Sequence, residues 1–261
     1  MTAFLSIDTF PLIDELDEGT VVVVGDVQVS VRDAAGGVST CALATVDAAR
    51  VAAGRPWRMF RWRQGQAHYS GWYWCATSGA HVIYESRLEL ARLLLADFDP
   101  RVVAVAAQPF LVTSDAGRRR RRHVPDFLLI DADGLVSVVN VKPAEQLADP
   151  KVAEARGWAA GLFTGRGWRH EIWSGACVTL LANVRFLAAY RRADRVDPDA
   201  VAAISSVVTG RVSVGGVEAK FQGRFPVEVC RPALLHLVWT GVLRAELDEP
   251  LSAATALERV R

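Results

Sequence analysis

The residues with the clearest capacity for chemistry lie between positions 118 and 142. A run of five arginines, Arg118 to Arg122, leads into His123 and Asp126, and two apolar runs then end at Lys142. Hydrolysis of a phosphodiester needs a divalent cation held by oxygen atoms, a positioned water and positive charge that offsets the charge of the transition state. A carboxylate at the start of one predicted strand and a lysine near the end of the next therefore suggest a metal-dependent nuclease.

Glu85 is the candidate for a second carboxylate beside Asp126. Magnesium is held by only one or two protein carboxylates, with water and substrate oxygens completing its shell. The sequence predicts an amphipathic helix over 81–98, and Glu85 on its first turn could point past the helix end towards a neighbouring strand. Glu89 shares the same helix face and is interpreted as a surface or supporting charge.

Lys142 stands out because the chain holds only three lysines among its basic residues. On a strand it would share a face with Asn140, since side chains two residues apart point the same way. A polar face on an apolar strand needs partners, because an unpaired buried charge is costly. Pairing with Asp126, Glu85 and a metal would satisfy it, and Lys142 could then orient or deprotonate the attacking water or stabilise charge at the phosphate.

The elements predicted around these residues indicate an α/β domain. The predicted strands cover 102–112, which Pro109 interrupts, then 124–130, 135–141 and 168–173, and a helix covers 151–161. The runs 124–130 and 135–141 are apolar on both faces, which is typical of central strands. Helices flanking a mixed sheet are the expected architecture. The alternating arginines and aromatics of 58–77 fit either a nucleic-acid contact or a hairpin with one buried aromatic face.

The chain is predicted to have three regions: 1–54 of unknown role, the nuclease domain 55–176, and a C-terminal domain 177–261. The N-terminal region suggests strands in 20–32 and a short helix in 40–53. The C-terminal region suggests helices over 180–192, 197–209 and 232–240, a strand-like 211–225, and a hairpin of 243–246 with 255–260. Asp197 and Pro198 are expected to cap and start their helix, with Gly241 ending the last one. Short helices followed by a hairpin suggest a winged-helix-like module.

Composition and charge distribution indicate the kind of partner and the cellular compartment, although they do not indicate the reaction. The net charge is only +1, but basic clusters at 55–63 and 118–122 fit a protein that meets a polyanion on one face. The four cysteines are far apart and lack zinc-ligand spacing, so reduced thiols are expected. Neither a leader-like start nor an apolar run of ~20 residues is present in the sequence, so a soluble cytoplasmic protein without a membrane partner is expected.

The motifs around the candidate residues resemble those of the TnsA-like endonuclease subunits of heteromeric bacterial transposases, in the PD-(D/E)xK, restriction-endonuclease-like superfamily. The resemblance covers roughly 58–192 and rests on Tyr84-Glu85-Ser86-Arg87-Leu88-Glu89, Gln108-Pro109-Phe110, His123-Val124-Pro125-Asp126-Phe127 and Val141-Lys142-Pro143. The C-terminal part is similar to that family's winged-helix-like domain in pattern only. The first fifty residues match no motif of the family.

The resemblance implies a restriction-endonuclease-like mixed sheet that nicks DNA at the 5′ ends of a transposon. Glu85, Asp126 and Lys142 fall on the family's catalytic positions, and the carbonyl of Val141 would be a further metal ligand. The implied cofactor is Mg²⁺, with Mn²⁺ as a substitute. The implied partners are double-stranded DNA at the transposon ends, a transposase subunit of the TnsB type that cuts and joins the other strand, and an ATPase regulator.

One position departs from the family's acidic pattern, because Asn140 stands where the motif has Asp or Glu. An amide oxygen can bind a metal but adds no negative charge, so a weaker metal site is expected. An active enzyme and a weakened or non-catalytic DNA-binding subunit both stay open, as does a stand-alone restriction or repair nuclease. Glu145 is a conceivable substitute ligand, although a surface charge is the simpler interpretation.

The basic run is interpreted as a DNA contact, with a solvated loop as the alternative. Its members are Arg118, Arg119, Arg120, Arg121 and Arg122, and adjacent guanidinium groups make salt-sensitive contacts with phosphates. His123 could assist at the phosphate or make a structural hydrogen bond. Gln108 is a weak site candidate, and His170 is expected to be a packing or surface residue.

Overall fold

The structure is a computed structural model, and it describes residues 27–59, 69–115 and 120–260. Within these ranges the chain forms a mixed α/β structure with seven α-helices and several β-sheets. It divides into two compact units after Cys177. None of the helices in these ranges is long and apolar enough to cross a membrane.

The described residues of the first unit form ten strands and three α-helices. They are β1 (Val27–Arg32), β2 (Val38–Ala42), α1 (Ala48–Ala52), β3 (Gly71–Cys75), β4 (Ala80–Tyr84), α2 (Arg87–Phe98), β5 (Val102–Ala107), β6 (Leu111–Ser114), β7 (Arg121–His123), β8 (Phe127–Asp131), β9 (Val136–Val141), α3 (Pro150–Gly165) and β10 (Arg169–Trp173). The predicted strands 124–130, 135–141 and 168–173 therefore exist with slightly shifted ends, and the predicted helix 151–161 extends to residue 165.

The sheet that carries the candidate residues has the order β10-β9-β8-β5. β9 and β10 are parallel, while the β8–β9 and β5–β8 pairs are antiparallel. The prediction that β8 and β9 are central strands is confirmed. Their consecutive apolar residues allow burial on both faces, and the turn between them is closed by Asp131, whose Oδ1 accepts the N–H groups of Asp133 and Leu135.

Two helices flank this sheet on opposite faces, as predicted. Arg92 of α2 makes two hydrogen bonds to Glu171 of β10, at 2.9 and 2.8 Å. Phe163 of α3 packs on the neighbouring residue His170, with ring centroids 5.7 Å apart. Because adjacent residues of a strand point to opposite faces, α2 and α3 lie on different sides of the sheet.

A second sheet of order β2-β1-β6-β7 shares a core with α3. β1 pairs antiparallel with both β2 and β6, so the described part of the region 1–54 belongs to the first unit. The helix predicted over 40–53 is wrong in its first half. Positions 38–42 form β2, and α1 begins only after Asp47, whose carboxylate accepts the N–H of Ala49.

The helix predicted from residue 81 is also wrong at its start. The residues Val82, Ile83 and Tyr84 are β-branched or aromatic and pair with β3 in a hairpin. Ser86 then caps α2, because its Oγ accepts the N–H of Glu89 at 3.0 Å. Residue 85 therefore lies between a strand and a helix, on neither element.

The second unit begins with helices and ends with a small sheet. Its elements are α4 (Val178–Leu187), α5 (Pro198–Val207), β11 (Val212–Ser213), α6 (Val214–Phe221), α7 (Val227–Trp239), β12 (Leu243–Ala245) and β13 (Ala256–Arg259). The Asp197 cap and the hairpin of β12 with β13 are confirmed. The strand-like interpretation of 211–225 is wrong beyond Ser213, whose Oγ accepts the N–H of Gly216 and starts α6. The sheet order is β11-β13-β12.

Candidate active site

Asp126 lies beside the last residues of β9. One of its carboxylate oxygens, Oδ2, accepts the N–H of Val141 at 2.7 Å. Its main-chain N–H donates to the carbonyl of Val139 at 3.1 Å. These two bonds fix Asp126 at the start of β8 against the end of β9, where the sequence placed the acidic group and the lysine.

The structure brings both Glu85 and Lys142 close enough to Asp126 for their charges to act on it. Burial raises the pKa of Asp126, and the nearby charge of Glu85 raises it further. The Val141 N–H, Lys142 and Arg58 act in the opposite direction and favour the carboxylate. The electrostatic environment of Asp126 is therefore set by residues that are far apart in the sequence.

Lys142 follows the last residue of β9 and continues its pairing by one residue. Its main-chain N–H donates to the carbonyl of Trp173 in β10 at 2.9 Å. The side chain is half-buried, so it can reach the surface while its backbone is held by the sheet. Lys142 therefore lies at the end of β9, beside the start of β8 where Asp126 lies.

Glu85 and Glu89 have different roles in the structure. Glu85 forms an ion pair with Arg58, with Nη2 and Oε2 3.1 Å apart. Glu89 binds the main chain at the start of α2, because its Oε2 accepts the N–H of Glu85 at 2.7 Å. Burial raises the pKa of Glu89 to about 7, and the charge of Asp126 contributes to that rise. Glu89 is therefore a supporting residue that fixes the backbone of Glu85.

Asn140 is buried, with 5% of its surface exposed, and it contacts His170, the residue that packs on Phe163 of α3. Its Nδ2 lies 2.8 Å from Nε2 of His170. A side-chain hydrogen bond with Asn140 also raises the pKa of His123. The amide thus lies between two imidazoles. His170 packs on Phe163, as a packing residue would, and it also contacts the Asn140 side chain.

Both imidazoles are held in the neutral form. Burial lowers the pKa of His123 and of His170 to about 4 in each case. Lys142 and Arg58 lower the pKa of His123 further, because they are cations close to it. Nε2 of His123 is buried and has no hydrogen-bond partner among the described residues. This nitrogen, on an imidazole near Lys142 and Arg58, could therefore still form a hydrogen bond.

The arginine run is only partly described. Arg118 and Arg119 lie outside the described residues, while Arg120 and Arg122 are exposed. Arg121 is different, because it pairs with Glu154 of α3 and its guanidinium lies 5.7 Å from the ring centre of Trp158. Alternate residues of β7 therefore serve different purposes: Arg121 and His123 pack towards α3, and Arg122 points away.

Sequence reasoning missed Arg58 and gave Gln108 little weight. Nε of Arg58 donates to Oε1 of Gln108 at 3.2 Å, beside the ion pair with Glu85. Gln108 has a φ of +45°, the only positive value at a described residue other than glycine. This conformation costs about 1–3 kcal/mol and is typical of functional sites. No local pattern shows a positive φ, so only the Gln108-Pro109-Phe110 motif pointed to this residue.

The donor groups fit a hard divalent cation. The carboxylates of Asp126 and Glu85, the amide oxygen of Asn140 and the carbonyl of Val141 are all oxygen donors, which magnesium prefers. Among the described residues, no three His, Cys, Asp or Glu side chains form a group that could hold a metal. A two-carboxylate site is compatible with that finding, because magnesium takes its remaining ligands from water and substrate.

Comparison with known proteins does not extend these observations. No protein-family model matches the chain, and no curated protein matches it.

Proposed function

We propose that this protein is a magnesium-dependent DNA endonuclease whose catalytic residues are Glu85, Asp126 and Lys142. The observation that supports this most strongly is their convergence. Asp126 is hydrogen-bonded to the end of β9, and both Lys142 and Glu85 shift its pKa. Two carboxylates that can hold a divalent cation, with a lysine close to one of them, can supply what the hydrolysis of a phosphodiester requires.

A bound Mg²⁺ would polarise the phosphate and lower the pKa of a water molecule, and Mn²⁺ would substitute for it. Asp126 and Glu85 would hold the ion, with the oxygens of Asn140 and Val141 as further ligands. Lys142 then orients the attacking water and offsets the negative charge that develops on the phosphate. The exposed arginines Arg120 and Arg122 would contact the DNA backbone, together with Arg118 and Arg119.

The arrangement of elements supports a finer assignment of both units. A mixed sheet of order β10-β9-β8-β5 between α2 and α3 suits a restriction-endonuclease-like fold. In the second unit α5, β11, α6 and α7 precede the β12–β13 hairpin, and β13 lies between β11 and β12. This order suits a winged-helix-like domain. Both assignments are consistent with a TnsA-like subunit that nicks the 5′ transposon ends beside a TnsB-type transposase and an ATPase regulator.

The test is a cleavage assay on DNA that carries transposon ends, with Mg²⁺, in the presence and absence of the partner transposase. Lys142→Ala and Asp126→Asn should abolish nicking while DNA binding persists. Lys151→Ala is the matched control, because Lys151 is an exposed lysine on α3. Equal nicking by wild type and both variants, or no nicking by any of them with the partner present, would refute the proposal.

The second candidate is a non-catalytic DNA-binding or assembly subunit. It is favoured by one observation, the engagement of the Asn140 amide with His170, which leaves a neutral group at the acidic position of the motif. The cleavage assay separates the two, because an assembly subunit binds DNA and never cuts it. Cleavage without any partner would instead indicate a stand-alone nuclease.

A further inference from the structure

We propose that Arg58 contacts a DNA phosphate at this site and that Gln108 is the residue that positions it. The proposal rests on the proposed function, which supplies DNA as the anion. Neither residue belongs to the set of Glu85, Asp126 and Lys142, and the geometry around them points to a binding role of their own.

Arg58 bridges a buried residue and a candidate metal ligand. Its Nε donates to Oε1 of Gln108 at 3.2 Å, and its Nη2 donates to Oε2 of Glu85 at 3.1 Å. The side chain is nevertheless 52% exposed. A guanidinium carries five N–H donors, and the bonds to these two described residues use only two of them, so an exposed guanidinium can donate to a further acceptor.

Both main-chain polar groups of Gln108 are hydrogen-bonded. Its N–H donates to the carbonyl of Asp126 at 2.8 Å, and its carbonyl accepts the N–H of Trp57 at 2.7 Å. The second bond also anchors the chain immediately before Arg58. One buried residue therefore holds Arg58 at both ends, through the backbone of Trp57 and through the guanidinium.

The strained backbone at residue 108 indicates that the glutamine side chain has a role that glycine could not fill. Its φ of +45° suits glycine, and only 2% of its surface is exposed. A glycine would meet the backbone requirement without strain, but it could not bind the guanidinium. An exposed ion pair such as that of Arg58 with Glu85 adds little to stability, so stability alone does not account for this arrangement.

Charge balance indicates what Arg58 would bind. Without a metal, the carboxylates of Glu85 and Asp126 are offset by the cations Arg58 and Lys142. A divalent cation adds two positive charges, which a phosphodiester and an ionised water would neutralise. If Glu85 held a divalent cation, the guanidinium of Arg58, kept in place by Gln108, would be free to bind a phosphate through two parallel hydrogen bonds.

The test measures DNA binding by the full-length protein in Ca²⁺, a cation chosen to allow binding without cleavage, over a range of salt concentrations. Arg58→Ala should weaken binding roughly tenfold, as expected for the loss of a charged hydrogen bond. The slope of log K against log salt concentration is negative, and the substitution should make it less steep by about 0.9, the value for one lost phosphate contact. Arg58→Lys should keep the slope while losing part of the affinity, because lysine is not bidentate.

Two further variants separate positioning from structure. Gln108→Gly keeps the backbone conformation accessible, so the variant should still fold, as circular dichroism would check, yet bind DNA more weakly. Arg101→Ala is the matched control: Arg101 is 54% exposed and pairs with Asp99 at 3.0 Å, and its loss should leave affinity and slope unchanged.

The outcomes are distinguishable from those of the nuclease test. If Arg58→Ala and Arg101→Ala bind DNA alike, with the slope of wild type, the inference is overturned whether or not the protein cuts DNA. Absence of DNA binding by wild type also overturns it. If wild type binds with the predicted Arg58 dependence but does not cut with Mg²⁺ and its partner, the nuclease proposal fails and the phosphate contact stands.

Discussion

Asn140 of β9 and His170 of β10 are joined side chain to side chain, with Nδ2 of the amide 2.8 Å from Nε2 of the imidazole. An amide nitrogen can only donate, so Nε2 accepts and the imidazole proton lies on Nδ1. Burial lowers the pKa of His170 to about 4, in keeping with this neutral form. The acidic position of the motif therefore holds an uncharged group whose orientation is set by a neighbouring strand.

Asn140→Asp should increase metal affinity if residue 140 is a ligand, by on the order of tenfold, because the site gains a negative charge. The new carboxylate should also raise the pKa of His170, since it favours the imidazolium. Calorimetric titration with Mn²⁺ measures the first effect, and NMR titration of the imidazole measures the second.

Glu145→Gln is the control for this experiment, because Glu145 is exposed and close in sequence. Its metal affinity should equal that of wild type. A raised His170 pKa without any gain in metal affinity would show that Asn140 only supports the two imidazoles.

Asp97→Ala should destabilise the first unit by about 3 kcal/mol or more, because buried donors lose a charged acceptor. The Asp97 carboxylate is only 5% exposed. It accepts the hydroxyl of Tyr73 at 2.6 Å, the main-chain N–H groups of Ala76 and Thr77 at 3.0 and 2.7 Å, and the hydroxyl of Thr77 at 2.8 Å. It thereby ties the β3–β4 hairpin to the end of α2. Urea denaturation measures the change.

Asp115→Ala provides the comparison, because Asp115 is 73% exposed and pairs only loosely with Arg120 at 3.4 Å. Its free energy of unfolding should change by less than about 1 kcal/mol. Similar values for the two variants would mean that the Asp97 network does not stabilise the unit.

Cys75 should resist alkylation at pH 8, whereas the exposed Cys177 should react. Burial, together with the charge of Asp97, raises the pKa of Cys75 to about 11. Its ordinary value of 9.0 applies to the unfolded chain, so the stabilising contribution is complete below about pH 9 and is lost as the pH rises through 11. Thiol counting on wild type and Cys75→Ser, before and after denaturation, checks this. The two native proteins should label the same number of thiols, and one labelled thiol fewer in native Cys75→Ser than in native wild type would contradict the prediction.

Asn183→Ala should loosen the segment 247–251 of the second unit. Nδ2 of Asn183 donates to the carbonyls of Leu247 and Glu249 at 3.0 and 2.7 Å, and Oδ1 accepts the N–H of Leu251 at 3.2 Å. The loss of three such bonds should cost about 2–4 kcal/mol. Hydrogen exchange at Leu251 should become faster, while the exposed Gln222→Ala leaves it unchanged. Unaltered exchange at Leu251 in Asn183→Ala would exclude this role.

The sequence determined the features that depend on local residue patterns. The unbroken apolar runs before and after the turn at Asp131 indicated the central strands β8 and β9, because only a strand buried on both faces tolerates them. Asp197 followed by Pro198 indicated a helix start, because capping and a fixed φ act within one turn. The residue types also pointed to Asp126 and Lys142 as a pair.

Only the tertiary structure decided how distant residues meet. Because β4 pairs with β3 in a hairpin, Glu85 lies before the helix and not within it. The parallel register of β9 and β10 brings the side chain of Asn140 next to that of His170. The positive φ of Gln108 and its bond to Arg58 follow from the backbone contacts with Trp57 and Asp126. Pairing between remote segments is fixed by the packing of the whole unit, so the sequence supplied the chemical groups and the fold decided which of them share a site.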